Sequence, residues 1–113
     1  FYMPFDKGQY SLCFECHTNT LADDQRSDTQ TNFRNGMFNL HFVHVNKSDK
    51  GRSCKACHDP HASSQPRLIS SKVSGFGRWR IPIRYTRTEA GGTCIVGCHK
   101  PKSYDRVNQV VNP

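Results

Sequence analysis

Three cysteine pairs constrain this chain more than any other feature, because a histidine directly follows the second cysteine of each pair. Two stretches, Cys13-Phe14-Glu15-Cys16-His17 and Cys54-Lys55-Ala56-Cys57-His58, have the spacing C-x-x-C-H. The third, Cys94-Ile95-Val96-Gly97-Cys98-His99, has one additional residue between its cysteines. Together the three motifs use every cysteine of the chain and half of its six histidines.

The C-x-x-C-H spacing is the attachment signature of c-type haem. Each thiol forms a thioether with one of two vinyl groups on neighbouring pyrroles, so both thiols must project from about one turn of chain. The histidine that follows supplies the proximal nitrogen to the iron. In the third motif the additional residue can bulge outward, and Gly97 is expected to ease the bulge by adopting unusual backbone angles. We therefore predict three covalently attached haems c.

Zinc binding and disulfide formation are rival uses of paired cysteines. A zinc ion bound by cysteines alone would need two pairs, which leaves one of the three pairs without a metal. Neither use explains why a histidine follows all three pairs. The haem interpretation accounts for the whole pattern.

The three remaining histidines match the number of distal ligands that three haems require. They are His41, His44 and His61, so each iron can receive two axial histidines. Met3 and Met37 are rivals for a sixth coordination position, although packing against a porphyrin edge is the simpler role for Met37. A lysine could also take such a position, or the position could be open.

Chain geometry limits which histidine can serve which haem. Two histidines trans to one iron have Cα atoms roughly 12 Å apart, given metal–nitrogen bonds of about 2 Å. Three residues span at most about 10 Å, so His61 cannot pair with His58, and His41 cannot share an iron with His44. The second haem then takes His41 or His44, and His61 goes to the first or the third haem. These assignments stay open within one chain, and they imply that the haems lie close together.

The composition predicts a small domain that is organised by its cofactors. Hydrophobic residues make up 35% of the 113 residues, and the mean hydropathy is -0.74. A polar chain of this size buries little core of its own. We expect one domain over residues 1–113, mostly irregular, with a few short α-helices at the motifs and one short β-hairpin. The three porphyrins would act as the core, and residues 62–93 would be an insert between the second and third motifs.

Local patterns predict several elements of this domain. Residues 1–12 should form an irregular aromatic arm over a haem face, residues 19–36 a solvated loop, and residues 36–46 a helix with two histidines on one side. The hairpin should lie in residues 66–90, where Trp79 to Tyr85 alternate apolar and basic residues, and Pro82 should confine that segment to a sheet edge or an extended arm. The tail, residues 107–113, reads as a further extended segment.

Charge and hydropathy bear on partners and on cellular location. The formal net charge is +7, and three oxidised haems with their propionates would bring it to about +4. Arginines between aromatic residues in 78–87 also fit nucleic-acid binding, but pairing with haem propionates is the simpler role. The sequence contains no apolar run long enough to span a membrane and no signal peptide. Because haem c is attached outside the cytoplasm, we expect an extracytoplasmic protein whose leader has been removed.

With these motifs the chain resembles the small multihaem cytochromes c of the doubled C-x-x-C-H class, related to the three- and four-haem cytochromes of metal- and sulfate-respiring bacteria. The resemblance rests on the three motifs, on His41-x-x-His44 and on Cys54 to His61, and it covers most of residues 10–105. It implies bis-histidine low-spin haems, low reduction potentials and periplasmic or extracellular electron transfer. The long insert departs from the most compact members. The ratio of about 38 residues per haem, 113 residues divided by three, is closer to that of extended cytochromes, including those that polymerise into conductive filaments.

Three functional hypotheses follow. The first is an electron carrier or filament subunit without enzyme activity, which works with redox partner proteins or extracellular acceptors and forms a homo-oligomer in the filament case. The second is a reductase with an open axial position, and the third is a haem-based sensor or scaffold. The chain could also be one domain of a longer multihaem cytochrome. A six-coordinate iron has no position for substrate, so the match of six histidines to three irons favours electron transfer.

Overall fold

The computed structural model describes residues 2–75 and 77–113, and at Ser74 it describes only the backbone. Phe1 and Phe76, which belong to the predicted aromatic arm and hairpin, lie outside the described residues. The N-terminal half contains short helices and a small hairpin, and the C-terminal half forms a four-stranded sheet. Within the described residues, no helix has the length and apolar character that a membrane crossing requires.

Short helices precede or enter the first two motifs. A 3₁₀ helix over Lys7–Tyr10 leads directly into helix α1, Ser11–Phe14, and another 3₁₀ helix covers Cys54–Ala56. The N-terminal segment is therefore more ordered than the irregular arm that the sequence indicated. Its aromatic rings pack on one another: Phe5 stacks on Tyr10, and Tyr10 meets the ring of Phe14 edge-on.

Helix α2 spans Leu40–Val45, so it begins four residues later than predicted. The preceding residues form a hairpin of β1, Arg34–Asn35, and β2, Phe38–Asn39, whose turn has Gly36 at φ 59°. Asn39 ends the hairpin and starts the helix, because its side-chain oxygen accepts from the Phe42 N–H at 3.1 Å. The two predicted histidines are on this helix, half-buried.

The C-terminal sheet is larger than the single hairpin that the sequence indicated. Its strands are all antiparallel neighbours in chain order: β3, Lys72–Ser74; β4, Arg80–Arg87; β5, Gly91–Val96; and β6, His99–Asp105. The predicted alternation is confirmed from Arg80 to Tyr85, since Ile81, Ile83 and Tyr85 are buried while the residues between them are exposed. Trp79 precedes the strand and is 52% exposed.

The prediction that Pro82 confines its strand to a sheet edge is wrong. Strand β4 is central, but it pairs with β3 only over Arg80–Pro82 and with β5 only from Ile83 onward. Pro82 therefore sits where the ladder passes from one neighbour to the other. On the β3 side, the Ile83 N–H donates to the Ser71 carbonyl at 2.8 Å. The missing N–H of Pro82 costs little there, because its position is locally that of an edge.

Close packing of the sheet requires Gly92. A Cβ atom at this position would lie 2.6 Å from the Tyr85 ring and 2.8 Å from the Thr86 carbonyl oxygen. With only hydrogen at this position, the Tyr85 hydroxyl can meet the Tyr104 hydroxyl at 2.7 Å across the sheet. This pair anchors Tyr104, whose ring meets that of Phe33 edge-on at 5.0 Å.

The tail is not a strand, but side-chain amides hold it against the domain. Asn35 donates to the Val110 carbonyl and accepts from the Val110 N–H, both at 2.8 Å. Asn112 forms the same reciprocal pair of bonds with Ser103, also at 2.8 Å. Val111 stays 93% exposed, so hydrogen bonds rather than apolar burial fix the tail.

Side-chain hydrogen bonds order the polar loop of residues 19–36. Asn39, fully buried, donates to the Leu21 carbonyl at 2.9 Å, and Gln30 donates to the Asp24 carboxylate at 2.6 Å. Among the described residues, few apolar side chains are buried: Tyr10, Ala22, Val45, Ile81, Ile83 and Tyr85. That the haems supply the rest of the core stays a prediction.

Candidate haem sites

The first two motifs adopt the same local backbone. The His17 N–H donates to the Cys13 carbonyl, and the His58 N–H donates to the Cys54 carbonyl, each at 3.0 Å. One helical turn therefore separates the first thiol from the histidine in both motifs. This is the arrangement that the C-x-x-C-H spacing predicted, with both thiols projecting from a single turn.

The third motif lies in a hairpin rather than a helix, contrary to the prediction of short helices at the motifs. Cys94 is in β5, His99 is in β6, and the register shifts between Cys94 and Val96, which accommodates the additional residue. Gly97 has no positive φ, so the expected reason for this glycine is wrong. A Cβ atom there would lie 3.1 Å from a methyl carbon of Ile81, and the glycine instead permits close packing of the turn on β4.

The thiols of the three motifs converge around the second motif. Burial, with the neighbouring Cys13 thiol, raises the pKa of Cys54 to about 11. Burial also raises the pKa of Cys57 to about 11, and the Cys94 and Cys98 thiols add to the effect. The second motif thus lies between the other two, and its thiols are neutral at physiological pH.

All six cysteines are free thiols, so disulfide formation finds no support. The part of the chain that the structure describes also contains no group of three or more His, Cys, Asp or Glu arranged to hold a metal ion directly. A zinc site built from protein ligands alone needs about four such groups. Iron held in a porphyrin needs only two protein ligands, so the observed donor set fits haem better.

The two histidines of α2 share a wall formed by Phe33. The Phe33 ring centroid lies 5.1 Å from that of His41, edge-on, and 5.7 Å from that of His44, stacked. Burial, followed by the charges of His58, His44 and His17, lowers the pKa of His41 to about 4. Burial also lowers the pKa of His44. The hydrogen bond to the Leu40 carbonyl opposes this shift, and the charge of His99 is the largest of the charge effects that add to it. Both imidazoles are therefore neutral near pH 7, as an iron ligand must be.

His41 faces the second motif. Its ring centroid lies 6.5 Å from that of His58, and the ring planes differ by 26°. Two imidazoles trans to one metal have centroids roughly 6 Å apart, given metal–nitrogen distances of about 2 Å. The separation therefore fits a pair of ligands on opposite sides of one iron.

Three histidines have a tautomer that suits iron ligation. Nδ1 of His44 lies 2.7 Å from the Leu40 carbonyl oxygen, Nδ1 of His58 lies 2.9 Å from that of Arg67, and Nδ1 of His99 lies 2.7 Å from that of Lys100. A carbonyl only accepts, so each Nδ1 must carry the proton and each Nε2 keeps its lone pair. Histidines that bind metals usually donate their other N–H in this way, so these residues fit the cofactor that the motifs imply.

The carbonyl that orients His58 comes from an unusual turn. Arg67 and Leu68 both have left-handed backbone angles, with φ of 60° and 56°. The turn presents the Arg67 carbonyl to the His58 ring and the Leu68 carbonyl to the Asp59 N–H at 2.9 Å. The sequence held no signal for this turn, because neither residue is a glycine or an asparagine.

His61 is the predicted distal ligand with the least support from the structure. It is exposed beside the second motif, and its backbone N–H donates to the Asp59 carboxylate at 3.0 Å. Among the ring contacts of the described residues, His61 forms none with another histidine. His17 is also exposed, although its charge acts on both His41 and His58.

The methionines differ in their surroundings. The Met3 sulfur accepts from the Tyr10 hydroxyl at 3.4 Å, and Met37 is 39% exposed on the hairpin before α2. The sulfur of Met3 is therefore already engaged, which leaves Met37 as the less constrained of the two rivals for an axial position.

A comparison with protein families matches residues 46–76 to the doubled CXXCH motif. The matched segment contains the second motif with His61 and supports a multihaem c-type cytochrome class. No curated protein and no solved structure matches the chain. Motifs of this kind imply covalently bound haem c and usually occur in proteins outside the cytoplasm.

Proposed function

We propose that the chain carries three covalently attached haems c and transfers electrons between redox partners. The observation that carries the proposal is the set of Nδ1 bonds at His44, His58 and His99, which leave Nε2 of each ring free for iron. When bound, haem supplies one-electron chemistry at iron. The thioether bonds would come from Cys13, Cys16, Cys54, Cys57, Cys94 and Cys98.

We infer the axial pairs from the same geometry. The centroid separation of 6.5 Å favours His41 opposite His58 for the second haem. The influence of His99 on His44 favours that pair for the third haem. His61 then remains for His17, in agreement with the chain-length argument that sends His61 to the first or the third haem. The first pair is supported by elimination rather than by a contact.

Six histidine ligands would leave no iron position for a substrate, so the chain's own part is to hold the irons and to exclude other ligands. The half-buried His41, His44 and His58 suit this task. A reductase is the second candidate, and one observation locates it: His61 and His17 are both exposed. A displaceable ligand would therefore lie at the first haem.

The cellular setting is also proposed. Attachment of haem c outside the cytoplasm favours a periplasmic, cell-surface or extracellular carrier. The exposed apolar side chains Leu12, Val107 and Val111, at 83%, 76% and 93%, are available to a neighbouring copy, which favours a filament subunit over a soluble shuttle. No membrane span and no nucleic-acid partner enter this proposal.

Haem counting together with carbon monoxide binding tests the proposal. Intact mass should show three haems per chain, and the near-infrared charge-transfer band of the oxidised protein should indicate bis-histidine ligation. The reduced protein should bind no carbon monoxide. A variant with His61→Ala should bind it at one haem in three, whereas Lys55→Ala, an exposed change within the second motif, should bind none. Carbon monoxide binding by the unaltered protein would favour the reductase instead.

A further inference from the structure

The segment of residues 31–33 contacts both histidines of α2 through two different groups. The Thr31 hydroxyl lies 2.7 Å from Nδ1 of His41. The same hydroxyl oxygen accepts from the Phe33 N–H at 3.0 Å. The Phe33 carbonyl in turn accepts from the Leu40 N–H, at the start of α2, at 2.9 Å. The segment is thus tied to the helix at both ends.

The Thr31 bond differs from the bonds of the three histidines described above. His44, His58 and His99 face backbone carbonyls, but His41 faces a hydroxyl that already accepts one hydrogen bond. With iron at Nε2, Nδ1 of His41 carries the proton and donates it to this oxygen. A hydroxyl oxygen is a weaker acceptor than a peptide carbonyl, so His41 should be the least basic ligand of the four.

The Phe33 ring also contacts the C-terminal sheet. Its centroid lies 5.0 Å from that of Tyr104, which meets it edge-on. Tyr104 is fixed by its 2.7 Å hydroxyl bond to the buried Tyr85. One aromatic ring, anchored on the sheet through Tyr104, therefore contacts both His41 and His44.

We propose that Thr31 and Phe33 are positioning residues, Thr31 setting the basicity of His41 alone and Phe33 fixing the ring planes of both His41 and His44. The inference rests on the proposed function, and in particular on these two histidines serving the second and the third haem. Hydrogen bonds and packing around an axial ligand tune the potential of the iron. Through this segment the chain would tune two of its three haems and leave the first unaffected.

The direction of the Thr31 effect follows from charge. A hydrogen bond from Nδ1–H makes the imidazole more electron-donating, which favours the oxidised iron. Thr31→Val keeps the side-chain shape but removes the acceptor, so the potential of the second haem should rise. Thr31→Ser keeps the acceptor and should restore it.

Redox titration followed by low-temperature EPR of the oxidised holoprotein is the test, because it resolves the haems individually. In Thr31→Val, one signal in three should show a change of about threefold or more in its reduction equilibrium constant, tenfold being ~59 mV for one electron. In Phe33→Leu, two signals should change their g-values. Asn32→Ala, an exposed change inside the same segment, should alter none.

The outcomes separate this inference from the proposed function. If the unaltered protein lacks three bis-histidine signals, the proposed function fails before any variant is made. If those signals are present and Thr31→Val leaves every potential unchanged, the role of Thr31 is refuted. If Phe33→Leu shifts all three signals equally, or none, Phe33 does not act on the two ligands specifically. Thr31→Val also removes the acceptor of the Phe33 N–H, so it should melt below Thr31→Ser. An unchanged signal of the third haem in Thr31→Val excludes general loosening as the cause of the shift at the second haem.

Discussion

The imidazoles of His41 and His58 have centroids 6.5 Å apart and ring planes within 26° of each other. One ring comes from a helix in the N-terminal half and its counterpart from the second cysteine motif. Their separation leaves room for one metal ion between two ring nitrogens. Chain-length arguments alone left His41 and His44 as equal candidates for this position.

Removing His41 should expose one iron. We expect His41→Ala to create carbon monoxide binding at one of three haems in the reduced protein, because no other histidine stacks on His58 in the described residues. Val43→Ala, on the same helix but 39% exposed, is the matched control and should bind none. Optical titration with carbon monoxide measures the fraction. No carbon monoxide binding in His41→Ala would contradict the pairing.

Removing both thiols of the second motif should prevent folding. Cys54 and Cys57 lie between the thiols of the first and third motifs, and the protein core is small, so this haem would bridge the two halves of the domain. We expect Cys54→Ala with Cys57→Ala to give a chain without a cooperative melting transition in circular dichroism. Cys94→Ala with Cys98→Ala should be milder, since the sheet supports that motif. A second-motif variant with two haems and an unchanged melting temperature would refute the haem-as-core hypothesis.

The start of helix α2 should depend on Asn39. Its side chain caps the Phe42 N–H and donates to the Leu21 carbonyl, and the residue is fully buried. We expect Asn39→Ala to lower the free energy of unfolding by about 1–2 kcal/mol, measured by denaturant titration of the holoprotein. Asn39→Ser keeps a cap and should lose less. Asn32→Ala, at an exposed site, serves as control, and an equal loss there would argue against the capping role.

The left-handed turn at Arg67 should tolerate glycine and resist branched residues. Arg67 has φ 60° and ψ 28°, angles that cost L-residues free energy but not glycine. We expect Arg67→Gly to leave the free energy of unfolding within about 1 kcal/mol of the original value, and Arg67→Val to lower it by more. Comparison of denaturation midpoints checks the order. Equal midpoints for the two variants would show that the backbone angle does not matter.

Self-association should depend on the exposed tail. Val107 and Val111 are 76% and 93% exposed, although Asn112 holds the tail to β6. We expect the holoprotein to form oligomers or fibres at micromolar concentration, and Val107→Asp with Val111→Asp to reduce them. Size-exclusion chromatography and electron microscopy measure both. A sharp monomer peak with no fibres and three intact haems would leave a soluble carrier.

Local sequence determined the parts of this protein that depend on neighbouring residues. The C-x-x-C-H spacing brings the two thiols and the histidine within one turn of backbone, as the matching bonds in the first two motifs show. The alternation from Arg80 to Tyr85 likewise defined a strand with one buried face. In both cases the relevant distances are set by covalent geometry over a few residues.

Tertiary structure decided what depends on residues far apart in the chain. Pro82 could lie inside a sheet only because two different strands pair with the two halves of β4. The third motif entered a hairpin because its two ends belong to β5 and β6, which pair with each other beside β4, and Gly97 serves the packing of the turn on Ile81. The position of His41 opposite His58, and of Thr31 behind His41, arises where separate segments meet. The number of residues between two positions limits only the largest distance that can separate them. Burial and hydrogen bonding select among the arrangements that remain.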